Sequence, residues 1–413
     1  MALSKDDRAR LIKSGKLART ALAAAHMGTR MTPHSGEDAA PSEVSLPGDI
    51  TEYLRGALLV EDAGDGLVQP YRFSEKQLRY LDSVGRGRRA RATSGICLAL
   101  VTTGSEVSFD CHVTAALDPA HPLYSEVMEH LGSLGQAEDG LIDGIDAVVE
   151  GGQSHTVAVR DGRIAVRFDN PEHLPLEVRI YLPLIMSVAV GRLVSNGTAA
   201  PAPLLALGDS ITQGFVVGCP SLSYPALLSA ELGLDLVNQA VCGYVFDQKT
   251  LTGIKALRKE PPAAITVAYG TNDWGCEGSG KEIRRDASAY LDRLCKLFPN
   301  TPIYVLTPLW RADEADEATL AGIPNGKSLS WVRRAIERAC RGHENVTVVD
   351  GASILPRSPL MFADGRLHPG STGAGIVAEA LAAAVRNGGG VGVGGRGPQA
   401  DPVSAPVPGP EVA

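Results

Sequence analysis

The pattern of hydrophobic and polar positions changes along this chain of 413 residues. Between residues 55 and 195, short runs of Val, Ile, Leu and Phe are separated by turn residues, with no long helix among them. Seven runs are predicted to be strands: Ile96–Thr102, Val107–Val113, Ala147–Val149, Thr156–Val159, Ile164–Phe168, Leu176–Leu182 and Met186–Leu193. Asp161-Gly162 between two of them is typical of a hairpin turn. We therefore expect an antiparallel β-sandwich domain over residues 49–196.

A second pattern begins after a linker of small residues at 196–203. Strands are predicted at 204–207, 234–237, 264–268, 303–306 and 346–349. Helices are predicted at 223–232, 247–259, 280–298, 328–341 and 372–386, the last with Ser371 as its N-cap. Five alternating units of strand and helix predict a parallel, doubly wound α/β sheet with helices on both faces, over residues 203–387.

The remaining segments are assigned from composition. Residues 4–26 have a helical pattern and residues 28–48 are rich in Gly, Pro and Ser, so residues 1–48 are predicted to be a helix and a linker. The stretch 117–140 is predicted to be a long loop. Residues 388–413 are rich in Gly and Pro and are predicted to be disordered.

Charge and cysteine usage narrow the class of protein. The net charge of −8 argues against a general nucleic-acid binder. The seven cysteines include no close C-x-x-C pair, and their odd number and wide spacing favour a reducing compartment. The chain begins without a signal-peptide pattern, and no stretch reaches the ~20 apolar residues of a membrane span. We expect a cytoplasmic protein without nucleic-acid or membrane partners; its oligomeric state stays open.

Two local concentrations of positive charge lie in the first half of the chain, the first of them spread through residues 5–19. Arg86, Arg88, Arg89 and Arg91 fall within six positions of one another. Such clusters are usually solvated surface charge, and this is the interpretation that the sequence favours.

Residues suited to catalysis follow the strands of the second domain. The first strand is followed by Gly208-Asp-Ser210, the second by a loop that ends at Gly243, the third by a loop with Asn272, and the fifth by Asp364-Gly-Arg-Leu-His368. A parallel sheet brings these loops to its carboxyl edge. A serine, a histidine, an aspartate, a loop glycine and an asparagine amide together suit acyl transfer through a serine ester.

These four blocks, spread over about residues 203–386, resemble the SGNH or GDSL hydrolase superfamily. The resemblance implies a flavodoxin-like three-layer fold and a catalytic triad of Ser210, Asp364 and His368. It also implies an oxyanion hole made by the N–H groups of Ser210 and Gly243 and the side chain of Asn272. A β-domain before the catalytic domain is similar in layout to carbohydrate esterases and natural-product acyltransferases of this superfamily, which carry a jelly-roll-like domain there.

The acid of the triad departs from the superfamily's usual spacing. The aspartate usually stands three residues before the histidine, where this chain has Gly365, whereas Asp364 is four before. Asp350, at the end of the fifth strand, is the alternative, with a turn residue as its ordinary interpretation. We favour Asp364, because Gly365 can adopt a positive φ and ease the turn. Asp209 is interpreted as a brace for the serine loop.

The sequence therefore predicts a serine esterase acting on a small-molecule ester, such as an acetyl ester of a sugar or metabolite. The alternatives are an acyltransferase with the same acyl-enzyme and a catalytically inactive module that binds glycan or protein. No metal or cofactor is predicted, because no group of His, Cys, Asp or Glu has ligand spacing. Four aromatic residues after strand ends could line a substrate pocket or pack in the core: Tyr244, Phe246, Trp274 and Trp310.

Overall fold

The computed structural model describes residues 50–115, 145–150, 153–157, 159–160, 162–194, 197–198, 203–259, 261–276, 280–324 and 326–388. The predicted helix at 4–26, the linker at 28–48, the loop at 117–140, Asp161, most of the linker at 196–203 and the tail after residue 388 lie outside these residues. The domain boundaries inferred from the sequence stay predictions.

The N-terminal half forms two antiparallel sheets. The first has the order β1 (Leu54–Arg55), β4 (Cys97–Thr102), β10 (Leu176–Tyr181), β6 (Ile145–Val149) and β7 (Gln153–Val157), with β12 (Gly197–Thr198) also paired to β4. The second has the order β2 (Leu59–Gly64), β3 (Leu67–Tyr71), β11 (Met186–Val194), β5 (Glu106–Ala115), β9 (Arg163–Arg167) and β8 (Val159–Arg160). Each of the seven predicted runs overlaps a strand, and the antiparallel arrangement is confirmed.

The two sheets enclose one hydrophobic core. Leu98 and Leu100 of β4 meet Val107 and Phe109 of β5 in it, and all four side chains are fully buried. The alternate residues of β4, Cys97 and Ala99, are buried on the other face, in a core shared with the C-terminal domain. Strand β4 is therefore apolar on both faces because each face has a protein partner.

A hairpin and two helices precede β4 and were not predicted. Strands β2 and β3 pair around a turn at Asp65-Gly66, a usual hairpin signal. Helix α1 (Glu75–Ser83) begins with a capping box in which Ser74 and Gln77 bond reciprocally, and α2 (Gly87–Ala90) follows. Leu78 and Leu81 of α1 pack into a core of the C-terminal domain rather than the sandwich.

The C-terminal half forms the predicted parallel sheet of five strands. They are β13 (Pro203–Gly208), β14 (Asp235–Asn238), β15 (Ala264–Ala268), β16 (Ile303–Leu306) and β17 (Val346–Val349). Their spatial order is β14-β13-β15-β16-β17, the 2-1-3-4-5 order of flavodoxin-like folds. In such sheets, ligands bind at the carboxyl ends of the strands, beside the point where the strand order reverses.

The helices of this half largely follow the prediction. They are α3 (Ser210–Gln213), α4 (Tyr224–Leu232), α5 (Thr271–Gly275), α6 (Gly280–Leu297), α7 (Glu317–Ala321), α8 (Leu329–Cys340), α9 (Gly351–Ile354) and α10 (Ser371–Asn387). The predicted helix at 247–259 is wrong: two 3₁₀ segments occupy Gln248–Leu251 and Ile254–Arg258. Ser371 is the first residue of α10 rather than its N-cap, which is Gly370 without a side-chain hydrogen bond.

The two halves share buried polar contacts. The Arg72 side chain is fully buried, and its N–H groups donate to carbonyl oxygens on both sides of the boundary: Ala92, Arg89 and Ala90 in the first half, and Asn238 and Ala240 in the second. Burial lowers the pKa of Arg72 to about 9, because the charged form loses its hydration. Five acceptors for five guanidinium N–H groups offset that cost.

Further pairs cross the same boundary. Asp235, at the start of β14, accepts from Arg179 of β10 at 2.8 Å and lies 3.2 Å from Arg55 of β1. Asp146 of β6 is buried and accepts from both the main-chain N–H and the hydroxyl of Ser221. These contacts fix the sandwich against the start of β14 and against the segment that follows α3.

No helix among the described residues is both long and apolar enough to span a membrane.

Candidate active site

Ser210 is held at the carboxyl end of β13 by a tight strand-to-helix turn. It is the first residue of the four-residue helix α3, and Asp209 is its N-cap, accepting from the Ile211 N–H at 3.0 Å. Asp209 is therefore a brace for this turn, as the sequence suggested. The Ser210 side chain is only 3% exposed, so its hydroxyl depends on protein partners for hydrogen bonds.

His368 is the partner of that hydroxyl. Its Nε2 atom lies 2.9 Å from Ser210 Oγ, and its Nδ1 atom lies 2.8 Å from Asp364 Oδ2. The three side chains thus form one continuous hydrogen-bonded chain from carboxylate to hydroxyl. With the Nδ1 proton donated to Asp364, Nε2 is left as the acceptor for the serine proton.

The Asp364 carboxylate is fixed by its own loop. Its Oδ1 atom accepts from the main-chain N–H groups of Arg366, Leu367 and His368 at 2.9, 2.8 and 3.1 Å. Burial acts to raise the pKa of Asp364, but the His368 side chain and these N–H groups prevail and hold it well below the usual range. Asp364 is therefore an anion that cannot rotate away from the imidazole.

Gly365 makes the four-residue spacing possible. It lies at φ 69°, in the left-handed region, with open space where a Cβ atom would be. This conformation turns the chain so that the Oδ1 atom of Asp364 faces the following N–H groups and Oδ2 faces the imidazole. The alternative acid, Asp350, caps α9 through a bond from the Ala352 N–H at 3.1 Å, which is the turn role expected of it.

The three residues assigned to the oxyanion hole occupy the loops after β13, β14 and β15. Among the described residues, no hydrogen bond joins the main-chain N–H of Ser210 or of Gly243 to an acceptor. Asn272 uses one amide hydrogen to donate to the Tyr244 carbonyl oxygen at 3.0 Å. Its other amide hydrogen has no acceptor within the described part of the chain. Within the described residues, all three donors therefore have hydrogen-bonding capacity that the protein does not use.

The loop that carries Gly243 is held next to Ser210. The Cys242 N–H donates to Gln213 Oε1 at 2.8 Å, and the Cys242 thiol contacts the Ser210 side chain. Gln213 in turn donates to the Leu184 carbonyl at 2.9 Å and accepts from Ser94 through its own carbonyl at 2.6 Å. Ser94 and Leu184 belong to the N-terminal half, so both halves position helix α3, the serine helix that begins at Ser210.

Two buried carboxyl groups lie behind this edge. Burial, and to a lesser degree the negative charge of Asp273, raises the pKa of Asp209 to about 7. Burial likewise raises the pKa of Asp273 to about 7; its Oδ1 accepts from the Phe246 N–H at 3.2 Å, and its Oδ2 has no hydrogen-bond partner among the described residues.

Of the aromatic residues near the strand ends, some pack in the hydrophobic core and one contacts the candidate catalytic histidine. Tyr244, Phe246 and Trp274 are buried in the core, and the Trp274 indole N–H donates to the Lys327 carbonyl at 2.7 Å. Packing is therefore the better interpretation for these three. A residue that the sequence did not single out, Phe215, lies with its ring centroid 5.1 Å from that of His368. Its position just past the serine helix was the available signal.

The arginine cluster is not simply solvated charge. Arg91 pairs with Asp82 at 2.6 Å near the surface, as expected. Arg86 and Arg89, however, are half-buried and point at the loop of Cys242 and Gly243. The sequence missed this because the two segments are more than 150 residues apart.

A metal centre was not predicted. Within the described ranges, no three side chains of His, Cys, Asp or Glu are grouped so that they could hold a metal ion. All seven cysteines are described, and each is a free thiol.

Comparison with known proteins gives the family of the second half. Residues 206–376 match the family model of the GDSL-like Lipase/Acylhydrolase family, and this range includes the four loop blocks that contain Ser210, Gly243, Asn272 and His368. This segment belongs to that family. No curated protein sequence matches the chain.

Solved structures share the fold of the GDSL-like domain together with the sandwich that precedes it. A salicylyl-acyltransferase from a tetracycline biosynthetic pathway superposes with a TM-score of 0.61 at 19% identity, covering 82% of this chain and 95% of the other. A carbohydrate esterase of family 2 from Corynascus thermopiles (Myceliophthora fergusii), with its carbohydrate-binding domain, gives 0.51 at 16% identity, covering 73% and 95%. A family two carbohydrate esterase from Clostridium thermocellum gives 0.51 at 14% identity, covering 82% and 99%.

Proposed function

We propose that the protein is a serine esterase that hydrolyses a small-molecule ester through an acyl-serine intermediate. The observation that carries the proposal is the chain of hydrogen bonds from Asp364 through His368 to Ser210, with lengths of 2.8 and 2.9 Å. An acetyl ester of a sugar or of a metabolite is the substrate we favour. Membership of the GDSL-like family supports the same class of reaction.

In the first half of the reaction, Ser210 Oγ attacks the carbonyl carbon of the ester. His368 Nε2 takes the hydroxyl proton as the bond forms, and the Asp364 carboxylate stabilises the resulting imidazolium through Nδ1–H. The negative charge on the former carbonyl oxygen is met by the N–H groups of Ser210 and Gly243 and the Asn272 amide. The imidazolium then protonates the departing alkoxide, which leaves an acyl-serine.

In the second half, a water molecule attacks the acyl-serine. His368 Nε2 accepts the water proton, and the same three donors stabilise the second oxyanion. The imidazolium returns the proton to Ser210 Oγ as the carboxylic acid leaves. Every proton is carried by the chain's own residues, so we expect hydrolysis to persist unchanged in the presence of EDTA.

The proposal is tested with the full chain on p-nitrophenyl acetate, p-nitrophenyl butyrate and acetylated sugars. Ser210→Ala is expected to lower kcat about 10⁴-fold or more with an unchanged circular dichroism spectrum. A fluorophosphonate probe is expected to label Ser210 in the wild type. Ser83→Ala, which alters an exposed serine on α1, is the matched control and keeps full turnover. Hydrolysis that survives in Ser210→Ala, or labelling of another serine, contradicts the proposal.

A second candidate is an acyltransferase, in which an alcohol replaces the water. The likeness of fold to a salicylyl-acyltransferase over 82% of this chain makes it worth testing. Product analysis in the presence of glycerol or a sugar alcohol separates the two, because transfer yields a new ester in place of free acid. If no ester is consumed and the probe labels nothing, the chain is instead a binding module with an inactive site.

A further inference from the structure

Two arginines of the N-terminal half lie at the loop that carries a predicted oxyanion donor. Arg89, on α2, donates from Nη1 to the Cys242 carbonyl at 2.9 Å, and Arg86 Nη2 lies 3.5 Å from the Gly243 carbonyl. A Cβ atom added to Gly243 would be 3.0 Å from Arg89 Nη1. The Cys242 thiol interacts with the Ser210 side chain and also lies within electrostatic range of both guanidinium groups, so the two arginines are near the candidate active site.

Among the described residues, no carboxylate balances the charges of these arginines. Within the described residues, neither Arg86 nor Arg89 forms an ion pair with a carboxylate. Burial is the main cause that lowers the pKa of Arg89; the charge of Arg86 acts in the same direction, and the Cys242 thiol acts against it. By contrast, Arg79 and Arg91 nearby pair with Glu75 and Asp82. Two like charges that are half-buried side by side, without a carboxylate partner among the described residues, cost free energy that a bound anion would offset.

Support of the loop alone does not account for this arrangement. Arg72, which supports the adjoining segment, has a carbonyl acceptor for each of its five N–H groups. Arg86 and Arg89 each use one N–H in a bond to the loop and keep the others for further acceptors. A guanidinium with unused parallel donors is suited to bidentate recognition of a carboxylate.

We propose that the natural substrate is an ester that carries a carboxylate, and that Arg86 and Arg89 bind this carboxylate beside the oxyanion hole. The proposal rests on the esterase function proposed above and names its substrate class. The carboxylate belongs either to the acyl group or to the alcohol. The N-terminal half thus contributes specificity to a reaction whose catalytic groups all lie in the C-terminal half.

The test compares matched pairs of esters with and without the charge. On the acyl side, the mono-p-nitrophenyl ester of succinic acid is compared with p-nitrophenyl butyrate. On the alcohol side, para-acetoxybenzoate is compared with para-acetoxybenzamide. The wild type is expected to favour the anionic ester of one pair by about tenfold or more in kcat/KM. This preference is expected to weaken with added salt, because ionic strength screens partly exposed charges.

Variants assign the preference to the two arginines. Arg86→Gln and Arg89→Gln are each expected to reduce the ratio of kcat/KM for anionic over neutral ester about tenfold, mainly by raising KM for the anionic one. Arg86→Lys and Arg89→Lys are expected to retain part of the ratio, since the charge remains. Arg79→Gln, with the same loss of charge on exposed α1, is the control and keeps the wild-type ratio.

A binding measurement separates this inference from the esterase proposal. Calorimetry on Ser210→Ala with monomethyl succinate and with benzoate does not depend on turnover. We expect an affinity about tenfold weaker when Arg86→Gln is added. If Ser210 hydrolyses neutral esters but both pairs react alike and neither anion binds, the inference fails and the esterase stands. If Ser210→Ala keeps its activity, the esterase proposal fails, whatever the arginines bind.

Discussion

The Nδ1 atom of His368 lies 2.8 Å from the Oδ2 atom of Asp364, four residues earlier in the chain. The same carboxylate accepts three main-chain N–H groups through its other oxygen. One short loop therefore carries the proposed base, the proposed acid and the main-chain groups that orient them. The assignment of the acid, which the spacing alone left open, rests on this contact.

Asp364→Asn is expected to lower kcat about 10⁴-fold while the fold persists, because an amide cannot stabilise the imidazolium and favours the wrong tautomer. Asp350→Asn is the matched control: asparagine caps a helix about as well as aspartate, so both turnover and stability are expected to stay near the wild-type values. Steady-state kinetics and thermal melting of both variants check this. Near-normal turnover in Asp364→Asn together with an inactive Asp350→Asn would reverse the assignment.

Gly365→Ala tests the turn between acid and base. A Cβ atom meets nothing within 4 Å, so the cost comes from φ 69° alone and is expected to be about 1 kcal/mol. Gly365→Asn is the control, because asparagine tolerates the left-handed region better than alanine. Melting temperatures are expected in the order wild type, Asn, Ala. An alanine variant as stable as the wild type would mean that the turn relaxes freely.

Asn272→Ala removes one of the three predicted oxyanion donors. We expect kcat to fall by about 10²–10³-fold with little change in KM, because the charge develops only in the transition state. Asn272→Asp, nearly identical in shape, is expected to fall at least as far, since a carboxylate repels the oxyanion. A loss confined to KM in either variant would assign Asn272 to substrate binding instead.

Arg72→Met keeps most of the buried volume but removes all five donors at the boundary between the halves. Leaving buried carbonyl groups unpaired is expected to lower the free energy of unfolding by about 3 kcal/mol or more. Arg79→Met, at an exposed position, is the control. The rate of fluorophosphonate labelling at Ser210 is followed alongside thermal melting. A melting temperature equal to that of the control contradicts the role assigned to Arg72.

Asp146→Asn tests a pH dependence at the same boundary. Burial raises the pKa of Asp146 from 3.8 to about 6, against the lowering effect of its bonds from Ser221. The folded protein therefore keeps a proton that the unfolded chain loses, and this contribution to the free energy of unfolding declines as pH rises from about 4 to about 6. Asn does not titrate, so we expect the stability of the variant relative to wild type to increase over that interval, by at most about 3 kcal/mol.

Urea denaturation at several pH values between 4 and 7 measures the effect, with Asp169→Asn, at an exposed position, as the control. Parallel stability curves for wild type and Asp146→Asn would contradict the prediction.

Elements whose signals are local were predictable from the sequence. Short patterns predict the parallel sheet, helix α6 and the blocks with Ser210 and His368. Each pattern, whether apolar periodicity or polar residues that follow a strand, is contained within a few consecutive residues. The hairpin at Asp65-Gly66 and the capping box of Ser74 and Gln77 carried equally local signals that were overlooked.

Elements decided by distant packing were not predictable. Leu251, Ile254 and Leu257 have helical spacing, yet Gly253 between them lies at φ 102° and interrupts the helix. A Cβ atom on Gly253 would come 2.5 Å from Ser74 Oγ. The helix is therefore interrupted where the chain makes a close contact with the N-terminal half. The same holds for Arg72, whose acceptors at Asn238 and Ala240 lie more than 160 residues away.

The hydrogen bonds that Gln213 makes to Leu184 and Ser94 limit where chimeric proteins can be joined when domains are exchanged between homologues. Exchanging sandwiches between homologues by cutting in the linker at 196–203 would separate the serine helix from its supports. A chimera that transfers the catalytic half therefore has to bring the segment from Arg72 to Ser94 and the loop of Leu184 with it. The segment that has to be transferred to keep the proposed activity is therefore longer than the one that contains the proposed nucleophile, base and acid.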